Sequence, residues 1–267
     1  TKKILNLILI IASERRIKIE FMNNTIILIP SRLAASRLPN KPLLKINNLS
    51  IINHVYQKAK QSKVGDVYVA TGDREIFNDV KKNGGNCVLT ERNHHSGTDR
   101  IFEAYQKLNL KNIDYIINLQ GDEPIIDVLD IVELYNKTLQ KKSEISTLAC
   151  KISENKMYTE NNIVKVTTEQ ELSYKNSSKA KAFSRKILEK KYKNTYHHIG
   201  IYMYKASILK KFINLKQTKN EISEKLEQLR AMENNIDIDV NLANSSPIGV
   251  DTYEDYMKIK KIMEKKN

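Results

Sequence analysis

From Thr25 onward, short unbroken apolar runs alternate with longer segments in which apolar residues recur every three or four positions. Ile26–Ile29 is such a run, closed by Pro30, and apolar character without alternation is what a strand covered on both faces requires. Ser50–Ser62 then carries Ile51, Ile52, Val55 and Ala59 at helical spacing. The alternation continues with a strand at Val67–Ala70, a helix at Arg74–Lys82 ended by Gly84 and Gly85, a strand at Cys87–Leu89, a helix at Asp99–Leu108 and a strand at Tyr115–Leu119. This order predicts right-handed crossovers and an α/β fold with a mostly parallel central sheet flanked by helices. In such sheets ligands gather beyond the carboxyl ends of the strands, which sends the loops after Ile29, Ala70, Leu89 and Leu119 to one crevice.

Beyond Leu119 the pattern is less regular. Strands are expected near 146–151, 163–167, 182–184 and 198–204, and helices near 208–212, 222–232 and 252–265. No Pro/Gly/Ser-rich linker and no internal repeat divides the chain, so residues 23–267 read as one domain. Ahead of it, Leu5–Ala12 is an apolar run behind Lys2 and Lys3, too short to span a bilayer. No small-x-small cleavage site follows it cleanly, and Glu14, Arg15 and Arg16 come next. Met22 stands directly before the first strand, so residues 1–22 are expected to be an N-terminal extension that need not be ordered.

Composition narrows the function classes. With 40% hydrophobic residues in 267, the chain can build a substantial core, which excludes disorder throughout. The two cysteines, Cys87 and Cys150, form no CxxC pair, so neither a disulfide framework nor a zinc site has support. A net charge of +14 fits nucleic acid, and it equally fits a triphosphate and a carboxylate as substrates. Residues 175–193 hold eight Lys or Arg against one Glu, yet lack the interleaved aromatic platforms of a single-strand binder and match no DNA-binding motif. No nucleic acid and no membrane insertion are therefore expected, and the setting is cytoplasmic.

The sharpest local signal is the loop after the first strand, Pro30-Ser31-Arg32-Leu33-Ala34-Ala35-Ser36-Arg37-Leu38-Pro39-Asn40-Lys41-Pro42-Leu43. It sets Arg32, Arg37 and Lys41 at the ligand edge of the sheet, where forked guanidinium contacts, a compact ammonium charge and backbone N–H groups can hold a triphosphate. The glycines of a Walker A loop or a dinucleotide fingerprint are absent.

This segment resembles the signature loop of sugar nucleotidyltransferases of Rossmann-like fold, and among them the 3-deoxy-manno-octulosonate cytidylyltransferase (CMP-Kdo synthetase) family. The resemblance continues in order through Val69-Ala70-Thr71, Ser96-Gly97-Thr98-Asp99-Arg100, Asn118-Leu119-Gln120-Gly121-Asp122-Glu123-Pro124, Phe183-Ser184-Arg185, His198-Ile199-Gly200-Ile201-Tyr202, Leu226-Glu227-Gln228-Leu229-Arg230 and Gly249-Val250-Asp251-Thr252, covering about residues 25–260. It implies a nucleotide-diphospho-sugar transferase type of fold with a sugar-binding and dimerisation elaboration, a homodimer, and transfer of CMP from CTP to an acidic 3-deoxy sugar with Mg²⁺ as cofactor. On this resemblance Arg37, Lys41 and Asp122 are catalytic, and Pro30, Ser31, Arg32, Arg37, Lys41, Thr71, Ser96, Gly97, Thr98 and Gln120 bind the nucleotide. The acceptor falls to Gln120, Arg185, His198, Tyr202, Glu227 and Gln228, a cation with several neutral donors and acceptors, as one carboxylate and many hydroxyls require.

Asp122 and Asp251 are the expected metal ligands, since two hard oxygen donors from separate segments, completed by phosphate and water, suit Mg²⁺. Plainer roles stand beside these: Asp122 as a turn former, Asp251 as the N-cap of the last helix, Ser96 or Thr98 as a helix cap. Two departures from the family pattern bear on the site. Ala70-Thr71-Gly72-Asp73 lacks an acid directly after the threonine, and Lys186, Ile187 and Leu188 replace an Ile-Pro pair after Arg185. The alternatives are a cytidylyltransferase for amino-Kdo or a sialic-acid-like sugar and, from another class, a basic nucleic-acid-binding protein.

Overall fold

The computed structural model describes residues 24–34, 37–185, 193–246 and 248–265. The extension expected over 1–22 and the departure at 186–188 lie outside them. In chain order the elements are β1 (Thr25–Ser31), a 3₁₀ turn at Lys41–Leu43, β2 (Lys45–Ile46), β3 (Leu49–Ser50), α1 (Ile51–Ser62), β4 (Asp66–Thr71), α2 (Arg74–Lys82), β5 (Cys87–Leu89), α3 (Gly97–Leu108), β6 (Tyr115–Asn118) and α4 (Val128–Lys141). There follow β7 (Ile145–Cys150), a 3₁₀ turn at Asn155–Tyr158, β8 (Lys165–Thr168), β9 (Ser178–Ser184), β10 (Thr195–Lys205), α5 (Ala206–Ile213), α6 (Lys219–Glu224), α7 (Gln228–Glu233), β11 (Ile238–Leu242) and α8 (Tyr253–Glu264).

Among the described residues nine strands form one sheet in the order β5-β4-β1-β6-β10-β7-β11-β9-β8, and β2 and β3 form a separate hairpin. The expected parallel pairing holds for β5, β4, β1 and β6. Past β6 the sheet is mixed: β10 runs antiparallel to β6, β7 and β8, whereas β11 is parallel to β7. Between β8 and β9 no helix intervenes and the connection is too short for a parallel crossover, so those two strands pair antiparallel.

β1 shows why the apolar run is continuous. Ile27 and Ile29 pack with residues of α1, α2 and α4 on one face, while Ile26 and Leu28 pack with Ile101 of α3 and Leu209 and Phe212 of α5 on the other. All four are at most 1% exposed, each contributing about 1.5–3 kcal/mol of burial. A third, smaller cluster joins Leu38 of the loop after β1, Ile46 and Ile51 to Val250, Tyr256 and Ile259, so α8 is packed against that loop.

Where helix ends were read from sequence they sit close to the capping residues. Ser50 caps α1 by accepting from Asn53 N, and Ser96 forms a reciprocal capping box with Asp99 at α3. The single helix expected over 222–232 is two, because Lys225 adopts a left-handed conformation (φ 53°) and ends α6 before α7 begins.

Candidate active site

The carboxyl ends of β1 and β6 and the start of α3 surround an open cavity of about 440 Å³. Pro30, Ser31, Arg32, Arg37 and Lys41 line it together with Ser96, Gly97, Gln120, Asp122 and Asp251. Gly121 makes this assembly possible: a Cβ there would lie 2.8 Å from the Pro30 carbonyl oxygen, so only glycine lets the chain after β6 pass so close to the end of β1. Ser31 Oγ is buried and lacks a hydrogen-bond partner among the described residues, which leaves an unmet polar demand in the wall.

The cationic loop and the two acids meet. Lys41 Nζ donates to Asp122 Oδ2 at 2.6 Å and to Asp251 Oδ1 at 3.2 Å, and Arg37 Nη2 donates to Asp251 Oδ2 at 3.1 Å. Burial works to lower the Lys41 pKa, but the two carboxylates outweigh it and hold the ammonium above its ordinary range. The acids are themselves linked, since Val250 N donates to the Asp122 carbonyl at 2.9 Å. Thr252, not Asp251, caps the last helix, which leaves the Asp251 carboxylate to the cations.

Thr71 lies apart from this wall. It is fully buried, lines neither this cavity nor the next, and its Oγ1 accepts from Asp73 N at 3.2 Å. That contact turns the chain so that Asp73 Oδ2 accepts from Leu33 N at 2.8 Å. The carboxylate displaced by Gly72 therefore ties down the cationic loop from one residue further along, and for the same reason Asp73 makes no side-chain cap for α2.

A second cavity of about 450 Å³ adjoins the first, and Gly97 and Gln120 line both. Arg185, His198, Tyr202, Glu227 and Gln228 line the second, as does Thr98. An irregularity in β10 between Ile199 and Tyr202 presents the Gly200 carbonyl, which accepts from Gln120 Nε2 at 3.1 Å. Thr147 Oγ1 gives its one proton to a β10 carbonyl, Ile201 O at 2.7 Å, so its 3.0 Å contact with His198 Nε2 makes that nitrogen the donor. Burial pushes His198 down to about 3, and its Nδ1 remains a neutral acceptor. Glu227 accepts from Ser96 Oγ at 2.8 Å and Thr98 Oγ1 at 2.6 Å; burial nonetheless raises its pKa.

A family model described as Cytidylyltransferase matches residues 26–238. The chain is 41% identical to the 3-deoxy-manno-octulosonate cytidylyltransferase of Afipia carboxidovorans over 91% of this chain and 98% of that protein. It is 42% identical to the enzyme of the same name from Thermodesulfovibrio yellowstonii over 86% of this chain and 94% of that protein. The solved structure of CMP:2-keto-3-deoxy-manno-octonic acid synthetase complexed with CTP superposes with a TM-score of 0.82 at 34% identity, covering 91% of this chain and 100% of that one. The chain belongs to the 3-deoxy-manno-octulosonate cytidylyltransferase family.

As a member of that cytidylyltransferase family the chain brings several further residues to the cavities that its sequence does not single out. His94 lines the first, its Nε2 2.6 Å from Glu103 Oε2, and Arg100 lines it while donating to Thr90 Oγ1, Glu91 O and Arg92 O. Asn118 and His197 line the second. Arg100 and Asn118 fall inside quoted motifs, but only their burial at 3% and 2% marks them as wall residues. Arg185 is largely engaged: Nε donates to Glu224 O at 2.8 Å, Nη1 to Asn161 O at 3.1 Å and Nη2 to Lys225 O at 3.1 Å.

Proposed function

We propose that this protein transfers CMP from CTP to the anomeric hydroxyl of 3-deoxy-D-manno-octulosonate (Kdo), giving CMP-Kdo and pyrophosphate for lipopolysaccharide biosynthesis. The observation that carries this reading is the joining of a cation-lined cavity to a hydroxyl- and amide-lined one through Gly97 and Gln120. A triphosphate in the first would present its α-phosphorus to a sugar in the second. The anomeric oxygen–phosphorus bond forms in line as the bond to the bridging oxygen breaks, pyrophosphate leaves and the hydroxyl proton is released. Catalysis of such a transfer is positioning and charge neutralisation. Arg32 and Arg37 steady the triphosphate and its leaving end, Lys41 adds a compact charge between them and the acids, and Gln120 orients the reacting groups where the cavities meet.

Asp122 and Asp251 fit a divalent cation. Their oxygens approach one ammonium nitrogen at 2.6 and 3.2 Å, so both reach a single cationic centre. Among the described residues no cluster of three or more His, Cys, Asp or Glu exists that could hold a metal, so an ion here would take the rest of its shell from phosphate and water oxygens. Asp122 and Asp251 would hold Mg²⁺, whose chemistry when bound is charge withdrawal from the phosphate and a lower pKa for the attacking hydroxyl.

The reading extends to one catalytic unit over residues 23–267, working as a homodimer in the cytoplasm. Among the described residues no helix is long and apolar enough to cross a membrane, and sedimentation as a monomer at working concentration would remove the dimer. The deciding assay mixes purified protein, CTP, Mg²⁺ and Kdo and follows pyrophosphate together with the mass of CMP-Kdo. Release with a sialic-acid-like or amino-Kdo acceptor but none with Kdo would reassign the acceptor. Salt-sensitive retention on DNA or RNA without CTP affinity would overturn the reading altogether.

A further inference from the structure

Lys165, the first residue of β8, is among the largest fully buried side chains, with 1% of its surface exposed. Its Nζ donates to Glu160 O at 2.8 Å, to Ile163 O at 2.7 Å and to Arg185 O. Three donated bonds require three N–H groups, so the side chain is the ammonium ion and not the neutral amine. Among the described residues no carboxylate lies within ion-pair distance of it. Burial lowers its pKa below the ordinary lysine range, exposed Glu160 opposes that shift and Arg185 adds to it, so the three carbonyls are what keep the proton in place. A buried ammonium without an acid is costly, and a wall that needed only hydrogen bonds could be tied with a neutral amide instead.

The three carbonyls locate the purpose. Asn162 and Val164, from the segment between Glu160 and Lys165, line the second cavity, as do Arg185 and Lys225. Lys165 does not line it. Through the Arg185 guanidinium the ties run on to Asn161, Glu224 and Lys225, so chain segments far apart in sequence are gathered into one wall by two cations bonded to backbone oxygens.

We propose that Lys165 is a positioning residue for an acidic acceptor: its ammonium holds the 160–164 segment and Arg185 at the wall of the second cavity and lends its unpaired charge to the acceptor's carboxylate. The inference deepens the reading of that cavity as the sugar site and rests on it.

The test compares wild type with Lys165→Met, which removes charge and donors at similar volume, and Lys165→Gln, which keeps a donor and removes the charge. Steady-state KM is measured for Kdo and for CTP, CTP binding is followed by calorimetry, and Kdo is set against its C1 amide. The expected result is a Kdo KM raised about tenfold or more in the Met variant and less in the Gln variant. CTP affinity stays within about threefold, and both variants lose preference for the acid over the amide. An unchanged Kdo KM, an equal rise in both KM values, an acid preference kept intact, or loss of cooperative unfolding in both variants would each assign Lys165 to the scaffold and overturn the proposal. Wild-type protein that binds CTP but releases no pyrophosphate with Kdo would sink the acceptor's identity instead; the same comparison then runs with the acidic sugar that is turned over.

Discussion

The cationic loop of the first cavity and the Lys165–Arg185 wall of the second handle charge in different ways. In the first, cations and acids meet side chain to side chain at an open edge: the Arg37 and Asp251 side chains are 58% and 48% exposed. In the second, Lys165 and Arg185 are bound to backbone carbonyls, and Glu227, partly exposed, is held by hydroxyls. Exposed pairs are weakened by water and salt and contribute little to folding, so they are free to exchange partners when a polyanion arrives. A buried charge bonded to the main chain, as at Lys165, forms part of the fold and fixes the shape of the wall beside it.

Five substitutions sharpen this contrast. The largest effect is expected at the first cavity: Asp122→Ala and Lys41→Ala should each lower kcat by about 10³-fold while the circular dichroism spectrum and melting curve stay near wild type. Normal turnover in either would misplace the chemistry. At the second cavity His198 has a depressed folded-state pKa, so the unfolded chain binds more protons between about 3 and 6.5. Its contribution to stability is therefore present above pH 6.5 and lost as pH falls towards 3, at up to about 1.4 kcal/mol per pH unit. Urea unfolding at pH 7 and pH 5 should show His198→Gln losing less stability than wild type across that interval, and equal losses would contradict the buried neutral imidazole.

A smaller effect is expected where the cationic loop is tied to its neighbour. Asp73→Ala should raise the KM for CTP about tenfold and leave that for the sugar unchanged, because only the Leu33 N contact is lost. Smallest of all, Arg37→Gln should shift unfolding free energy by no more than about 0.5 kcal/mol, as an exposed pair does, while CTP affinity becomes less sensitive to salt.

The contrast also explains what could be read in advance. The parallel half was legible because a strand buried on both faces leaves an unbroken apolar run, as at Ile26–Ile29, and because its helices carry capping residues such as Ser50 and Ser96. The helix α4 and the strand β11 were not anticipated; β11 is buried along its whole length, yet Asp239 and Asn241 break the apolar run that would have marked it. The hairpin of β2 and β3 turns on Asn47 and Asn48, both at positive φ, a two-residue signal easily passed over within a polar stretch. Lys165 was invisible because a lysine in a basic chain reads as a solvated one.

The amino-acid sequence by itself determined the α/β alternation, the cationic loop and the choice of two acids, because periodicity and residue chemistry are local properties. Tertiary structure alone decided that Asp122 and Asp251 share one ammonium, that Asp73 holds the backbone of Leu33, and that Lys165 is buried behind the wall of the second cavity. Those depend on approaches between residues tens to hundreds of positions apart, and such distances are set by packing against the sheet, which no short stretch of chain encodes.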